Sequence, residues 1–155
     1  MLPSVSKYEV PRLTVWRNNE RHLSGSTVAA WLVCSSAELP EDAKHALEAS
    51  AKRCGYEPKQ IAWCVLSAPE NAAETTSMQP DALRATIEAL DPLVLILADK
   101  AATEEASRAY NAPIALESET RLLGRPCRAF VNFALLLGDE QGKQKAWSCL
   151  KSLHR

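Results

Sequence analysis

Four short stretches place polar, reactive residue types directly behind apolar runs. They are Ser35 and Ser36 after "TVAAWLVC", Ser67 after "IAWCVL", Asp99 and Lys100 after "LVLILA", and Asn132 after "AFV". In an open parallel sheet, ligands sit outside the carboxyl ends of the strands, so these are the positions to weigh for chemistry. Ser35 and Ser36 can bind an anion or act as nucleophiles, but no glycine pair of a nucleophile elbow surrounds them. Asp99 can serve as a general base. As the first residue between a strand and a helix it also has the type and place of an N-cap, and that is the reading its position favours. Asn132 can hold a base or a water, and it stands alone. Glu104 and Glu105 are adjacent on a helix, so they point in different directions and do not form a working pair of carboxylates.

Cofactor chemistry finds little footing. The chain has five glycines, and neither GxGxxG nor GxxxxGK[ST] occurs, which disfavours the phosphate-cradling loops of those types. The five cysteines, Cys34, Cys54, Cys64, Cys127 and Cys149, contain no CxxC pair, and the three histidines, His22, His45 and His154, lie far apart. Zinc needs closer spacing than this. The thiols are expected to be buried small hydrophobes, with no cofactor and no metal.

The elements that would position these residues follow from periodicity. Helices are expected over "ELPEDAKHALEASAKRCG", "PDALRATIEAL", "AATEEASRAY" and a final segment from about Gln141–Gly142, each with an apolar stripe at helical spacing. Pro40 and Pro80 suit first helical turns, and Gly55 suits a helix stop. "LVLILA" is apolar on both faces, as a central parallel strand covered on both sides should be. Shorter strands are expected in "PIALES" and in "FVNFALLLG", the latter running out into a loop. This alternation predicts an α/β protein, a three-layer α/β/α sandwich with a mostly parallel sheet of about four strands.

At 155 residues with 46% hydrophobic and 24% charged, the chain suits one domain. A net charge of −1 predicts no strong direct nucleic-acid binding. The start carries charges early, and the longest apolar run is too short to cross a bilayer, so a cytoplasmic protein with no membrane partner is expected. Residues 1–26 read as a separate N-terminal arm, and 27–155 as the single α/β domain. Within the arm, "LTVWRNNER" offers Leu13, Val15, Trp16, Arg17 and Arg21. Trp and Arg dominate interface hot spots, and the "SGS" that follows resembles a hinge. These five residues are the expected partner-binding set; the alternative reading of the segment is an ordinary edge strand with Trp16 packed on the domain.

Two resemblances carry further expectations. "ATIEALDPLVLILADKAA" and "AFVNFALLLGDEQGKQKAWSCLKSL" resemble the helix–strand segment and the final strand, loop and helix of uracil-DNA glycosylases, over roughly residues 28–153. Where those enzymes carry an acidic Gly- and Pro-rich motif, this chain has Cys34–Ser35–Ser36–Ala37, and where they carry a His-Pro-Ser type motif it has Asn132–Phe133–Ala134. The resemblance therefore implies a glycosylase-like layout in which Ser35, Ser36, Asp99 and Asn132 are vestigial site positions. The alternative it leaves open is a divergent glycosylase-like protein, weakly active or inactive, that acts on or binds nucleobases or DNA, with Asp99 or Asn132 as polar helpers.

The whole chain resembles the psi subunit family of the bacterial DNA polymerase III clamp-loader complex. "LTVWRNNER" resembles its Leu-x-x-Trp-x-x-Arg arm. "WLVCSSAELPEDAKHALEASAKRCGYEPKQIAWC" resembles its first strand, helix and second strand, and "VNFALLLGDEQGKQKAW" its terminal segment, departing from it at Ala134, where proline is expected. The resemblance implies a non-catalytic adaptor. Its domain would bind a chi-like subunit, which in turn touches single-stranded-DNA-binding protein. Its arm would order on the clamp-loader ATPase subunits, with Trp16 as anchor.

Overall fold

The computed structural model describes residues 9–69 and 75–154. Helix α1 (Glu9–Asn18) and a short strand β1 (Leu23–Gly25) precede the first core strand, β2 (Trp31–Ser35). Then come α2 (Glu41–Arg53), β3 (Ile61–Val65), the antiparallel pair β4 (Ser67–Pro69) and β5 (Thr75–Ser77), α3 (Pro80–Leu90), β6 (Val94–Leu97) and α4 (Lys100–Tyr110). The chain continues through β7 (Thr120–Leu122), β8 (Arg125–Ala129), α5 (Phe133–Leu136) and α6 (Glu140–Leu150), and ends in a 3-10 turn at Lys151–Leu153.

Among the described residues the main sheet has the order β1-β3-β2-β6-β8-β7. The inner four strands are parallel, and β1 and β7 run antiparallel at the two edges. The mixed α/β class and the mostly parallel sheet are as the sequence predicts, but the sheet has six strands rather than about four. The additional two are three residues long, too short to imprint an alternation on the sequence.

Alternate residues of the inner strands feed two apolar clusters. Leu32, Cys34, Leu95 and Leu97 pack with Leu83 and Ile87 of α3 and Ala102 and Ala106 of α4. Trp31, Val33, Val94 and Ile96 pack with Ala43 and Leu47 of α2 and with Phe130, Phe133 and Leu150. Each large apolar side chain buried this way contributes about 1.5–3 kcal/mol of transfer free energy. That two-sided demand is why "VLIL" is apolar at every position.

Three segments differ from the sequence reading. The compact fold takes in residues ahead of Thr27, since β1 pairs with β3 (Leu23 with Cys64, Gly25 with Ala62) and α1 packs on α3. Gly25, expected in a hinge, instead lets the edge strand sit close: its φ is +89°, and a Cβ there would collide with the Ile61 carbonyl oxygen. The stretch "FVNFALLLG" is not a strand. The strand ends at Ala129, and Asn132 starts a short helix. "PIALES" is irregular, and the strand expected there lies further on, at β7.

Candidate functional site

The parallel strands leave β2 in one direction to β3 and in the other to β6, so the switch point lies between the carboxyl ends of β2 and β6. Ser36, Asp99 and Asn132 meet there. One carboxylate oxygen of Asp99, Oδ2, accepts from both the Ser36 N–H and the Ser36 hydroxyl at 2.8 Å. The other, Oδ1, accepts from the Ala102 N–H at 2.8 Å, which makes Asp99 the N-cap of α4. The Asp99 main-chain carbonyl also accepts from the Thr103 hydroxyl. Asn132 forms an isolated bridge with Asp99, and its Oδ1 accepts from the Leu135 N–H at 3.2 Å, capping α5. Lys100 is exposed, and its N–H donates to the Val131 carbonyl. Ser67 is exposed on β4, with its N–H donating to the Ser36 carbonyl.

This arrangement can fasten but has little left with which to react. Asp99 ties the β2 loop to the start of α4 through three donors, so both its oxygens are committed. Glu104 is exposed, and Glu105 is turned to Arg108, its ion-pair partner three residues on.

Ser35 faces away from this cluster. It follows Trp31 and Val33 on the α2 side of the sheet and lines a cavity of about 120 Å³ with His22, Glu38, Lys44 and Trp63. His22 is buried, and its Nδ1 lies 2.7 Å from the Val65 carbonyl oxygen. A carbonyl only accepts, so Nδ1 carries the hydrogen. The Lys44 ammonium lies 2.9 Å from the Glu38 carboxylate and 5.7 Å from the centre of the Trp63 ring. Nothing in the sequence pairs His22 with Ser35. They meet because β1 and β2 both flank β3, bringing His22 and Ser35 to either side of Val65.

The five arm residues divide by exposure. Trp16 is half-buried against the cluster that contains the α3 residues, and Val15 is also half-buried. Leu13 and Arg17 lie one turn apart on α1 and are exposed, Leu13 at 48%. Arg21 is exposed beyond the helix end. A second apolar surface runs between α2 and α6. There Phe133, Leu137, Ala146, Trp147 and Leu150 line a groove of about 500 Å³, beside an exposed Leu135. The Arg53 guanidinium covers the Trp147 ring at 4.1 Å.

Four of the five cysteines are buried, Cys149 is half-buried, and all five are free. The hydrogen bond with Cys64, then burial, holds the Cys34 thiol well above its ordinary range. Burial pushes Cys127 up to about 12. Such thiols are poor nucleophiles and poor metal ligands. Arg128 is buried and engaged through all three of its nitrogens, donating to the carbonyls of Cys127, Cys149 and Thr120 and to the Ser152 hydroxyl, so it fastens β8 to the end of α6.

Among the described residues, no cluster of three or more His, Cys, Asp or Glu side chains could hold a metal, and no helix is long and apolar enough to cross a membrane. Compared with known proteins, the chain matches no family model and no curated sequence.

Proposed function

We infer that the chain is a non-catalytic adaptor of the psi type, bridging a chi-like subunit and the clamp-loader ATPase in a bacterial replicative polymerase complex. The observation that carries this reading is helix α1. It holds Trp16 half-buried on the domain while turning Leu13 and Arg17 of the same segment to solvent. A large aromatic beside an exposed aliphatic and an arginine is the composition of an interface hot spot. The groove between α2 and α6, with Trp147 under Arg53, offers the domain a second contact surface for the chi-like partner. The engagement of Asp99 and Asn132 as helix caps supports a structural rather than reactive role for the switch point. The finer fold description belongs to the same proposal: a three-layer α/β/α sandwich of glycosylase-like layout, supported by the parallel core order β3-β2-β6-β8 and the two helix-covered clusters.

The test is affinity capture from the native host with mass-spectrometric identification. Deleting residues 1–26 would remove β1 along with the arm, so surface variants are preferable. The unaltered chain should recover clamp-loader ATPase subunits and a chi-like protein. A Leu13→Asp/Arg17→Glu variant should lose the ATPase subunits and keep the chi-like one. Recovery of neither by the unaltered chain would overturn the reading. Release of uracil from DNA by the purified chain would restore the glycosylase alternative.

A further inference from the structure

The small cavity beside β3 has a construction that its neighbours do not explain. It opens at the carboxyl ends of β2 and β3, where sheets of this kind receive ligands. At about 120 Å³ it has room for a phosphate or carboxylate group and none for a nucleotide. His22 and Ser35 are 8% and 3% exposed. His22 uses Nδ1 on Val65, and its Nε2 and the Ser35 hydroxyl make no hydrogen bond among the described residues. Neither is a sealed, orphaned atom of the kind that Arg12 Nε and Trp31 Nε1 are among the described residues, so both polar groups open onto the cavity and are free to receive a ligand there.

The charged pair beside them points the same way. The Lys44 side chain is only 17% exposed, and its ammonium is neutralised by one carboxylate oxygen, from a Glu38 side chain that is 74% exposed. An ion pair held by so exposed a partner is easily exchanged. Lys44 is also fixed over Trp63, so the cation stays in place when its carboxylate leaves. Arg21 also lines the rim.

We propose that this cavity is a binding site for a small oxyanion, received by Lys44, Ser35 and His22, with the Glu38 carboxylate as the internal group it displaces. The site lies apart from Leu13, Trp16 and Arg17 and from the groove between α2 and α6; of the arm residues only Arg21 reaches its rim.

The test is a titration of the isotope-labelled full chain with sodium phosphate, sodium acetate and, at matched ionic strength, sodium chloride, followed by backbone amide NMR shifts. Saturable shifts over residues 35–39 and at Val65 with phosphate, acetate or both, but not with chloride, are expected. Phosphate alone would assign the site to phosphate groups, and acetate alone to carboxylates. Lys44→Gln should weaken binding roughly tenfold, a loss of about 1.4 kcal/mol. Glu38→Gln should tighten it several-fold by removing the competitor. Glu41→Gln removes the same charge from an exposed position outside the cavity and should change nothing. Equal shifts with chloride, no saturation with either oxyanion, or an unchanged affinity in Glu38→Gln would overturn the proposal.

Discussion

Replacing Asp99 by alanine separates the two roles a carboxylate can have at the end of a strand. Three donors lose their acceptor: the Ala102 N–H, the Ser36 N–H and the Ser36 hydroxyl. Loss of an N-cap costs about 1 kcal/mol. Hydrogen bonds to a charged group are worth about 1.5–3 kcal/mol each, and the part-buried Ser36 N–H has no ready substitute. The three share one carboxylate, so their losses do not add, and a total near ~3 kcal/mol is expected. With a urea m-value of about 2 kcal/mol/M, the unfolding midpoint should fall by ~1.5 M. Asp99→Asn keeps one acceptor oxygen but turns an NH2 group on Ser36, so it should lose about half as much. Urea unfolding followed by far-UV circular dichroism reads both variants. Carboxylates kept for catalysis behave in the opposite way, because their replacement commonly leaves stability unchanged or raises it. A midpoint for Asp99→Ala equal to or above that of the unaltered chain, at unchanged m, would refute the fastening role and reopen Asp99 as a reactive group.

Trp16→Ala should cost about 1–2 kcal/mol, below the ~3–5 of a fully buried aromatic, because the ring is only half covered; the same denaturation curves check this, and partner capture should fall with the domain still folded. Leu13→Asp, at an exposed position, should move stability by no more than about 0.5 kcal/mol. Arg128→Met should destabilise by at least ~3 kcal/mol, since it leaves the carbonyls of Cys127 and Cys149 without their charged donor; thermal unfolding should register this as a clear fall in Tm. The chain should also lose stability in alkali. A thiol in the unfolded chain titrates near ~8.5, whereas burial pushes Cys127 up to about 12. Its contribution is therefore intact below about pH 8.5 and lost as the pH rises, by roughly 2 kcal/mol at pH 10. Cys127→Ser, compared with the unaltered chain from pH 7 to 10, should show a flatter decline.

The segments legible in the sequence are those whose burial is long and periodic. "VLIL", buried on both sides, and the Leu83–Ile87–Leu90 stripe of α3 leave an unmistakable pattern. The Asp99 cap was legible for a related reason, since it depends on the local order of strand, acidic residue and helix. What escaped depends on partners distant in the chain. The three residues of β1 are a strand only because β3 offers them a ladder, and α1 is fixed on α3. The cavity of His22, Ser35 and Lys44 assembles three segments, none of which hints at the others. "FVNFALLLG" misled because a strand and a short apolar helix are composed alike, and only the Asn132 cap marks the change.

The two edge strands have a consequence for how the molecule meets others. β1 and β7 each offer only three residues to any chain that would extend the sheet, and each runs against its neighbour's direction. Templated growth of a sheet needs a long, flat row of unpaired amides and carbonyls, and short edges deny it that. Two copies meeting edge to edge would gain a few hydrogen bonds and little else. Among the described residues, neither edge of the main sheet therefore favours fibre-like growth or the addition of an extended peptide. A partner docking on the helical flanks would instead meet side chains rather than the backbone.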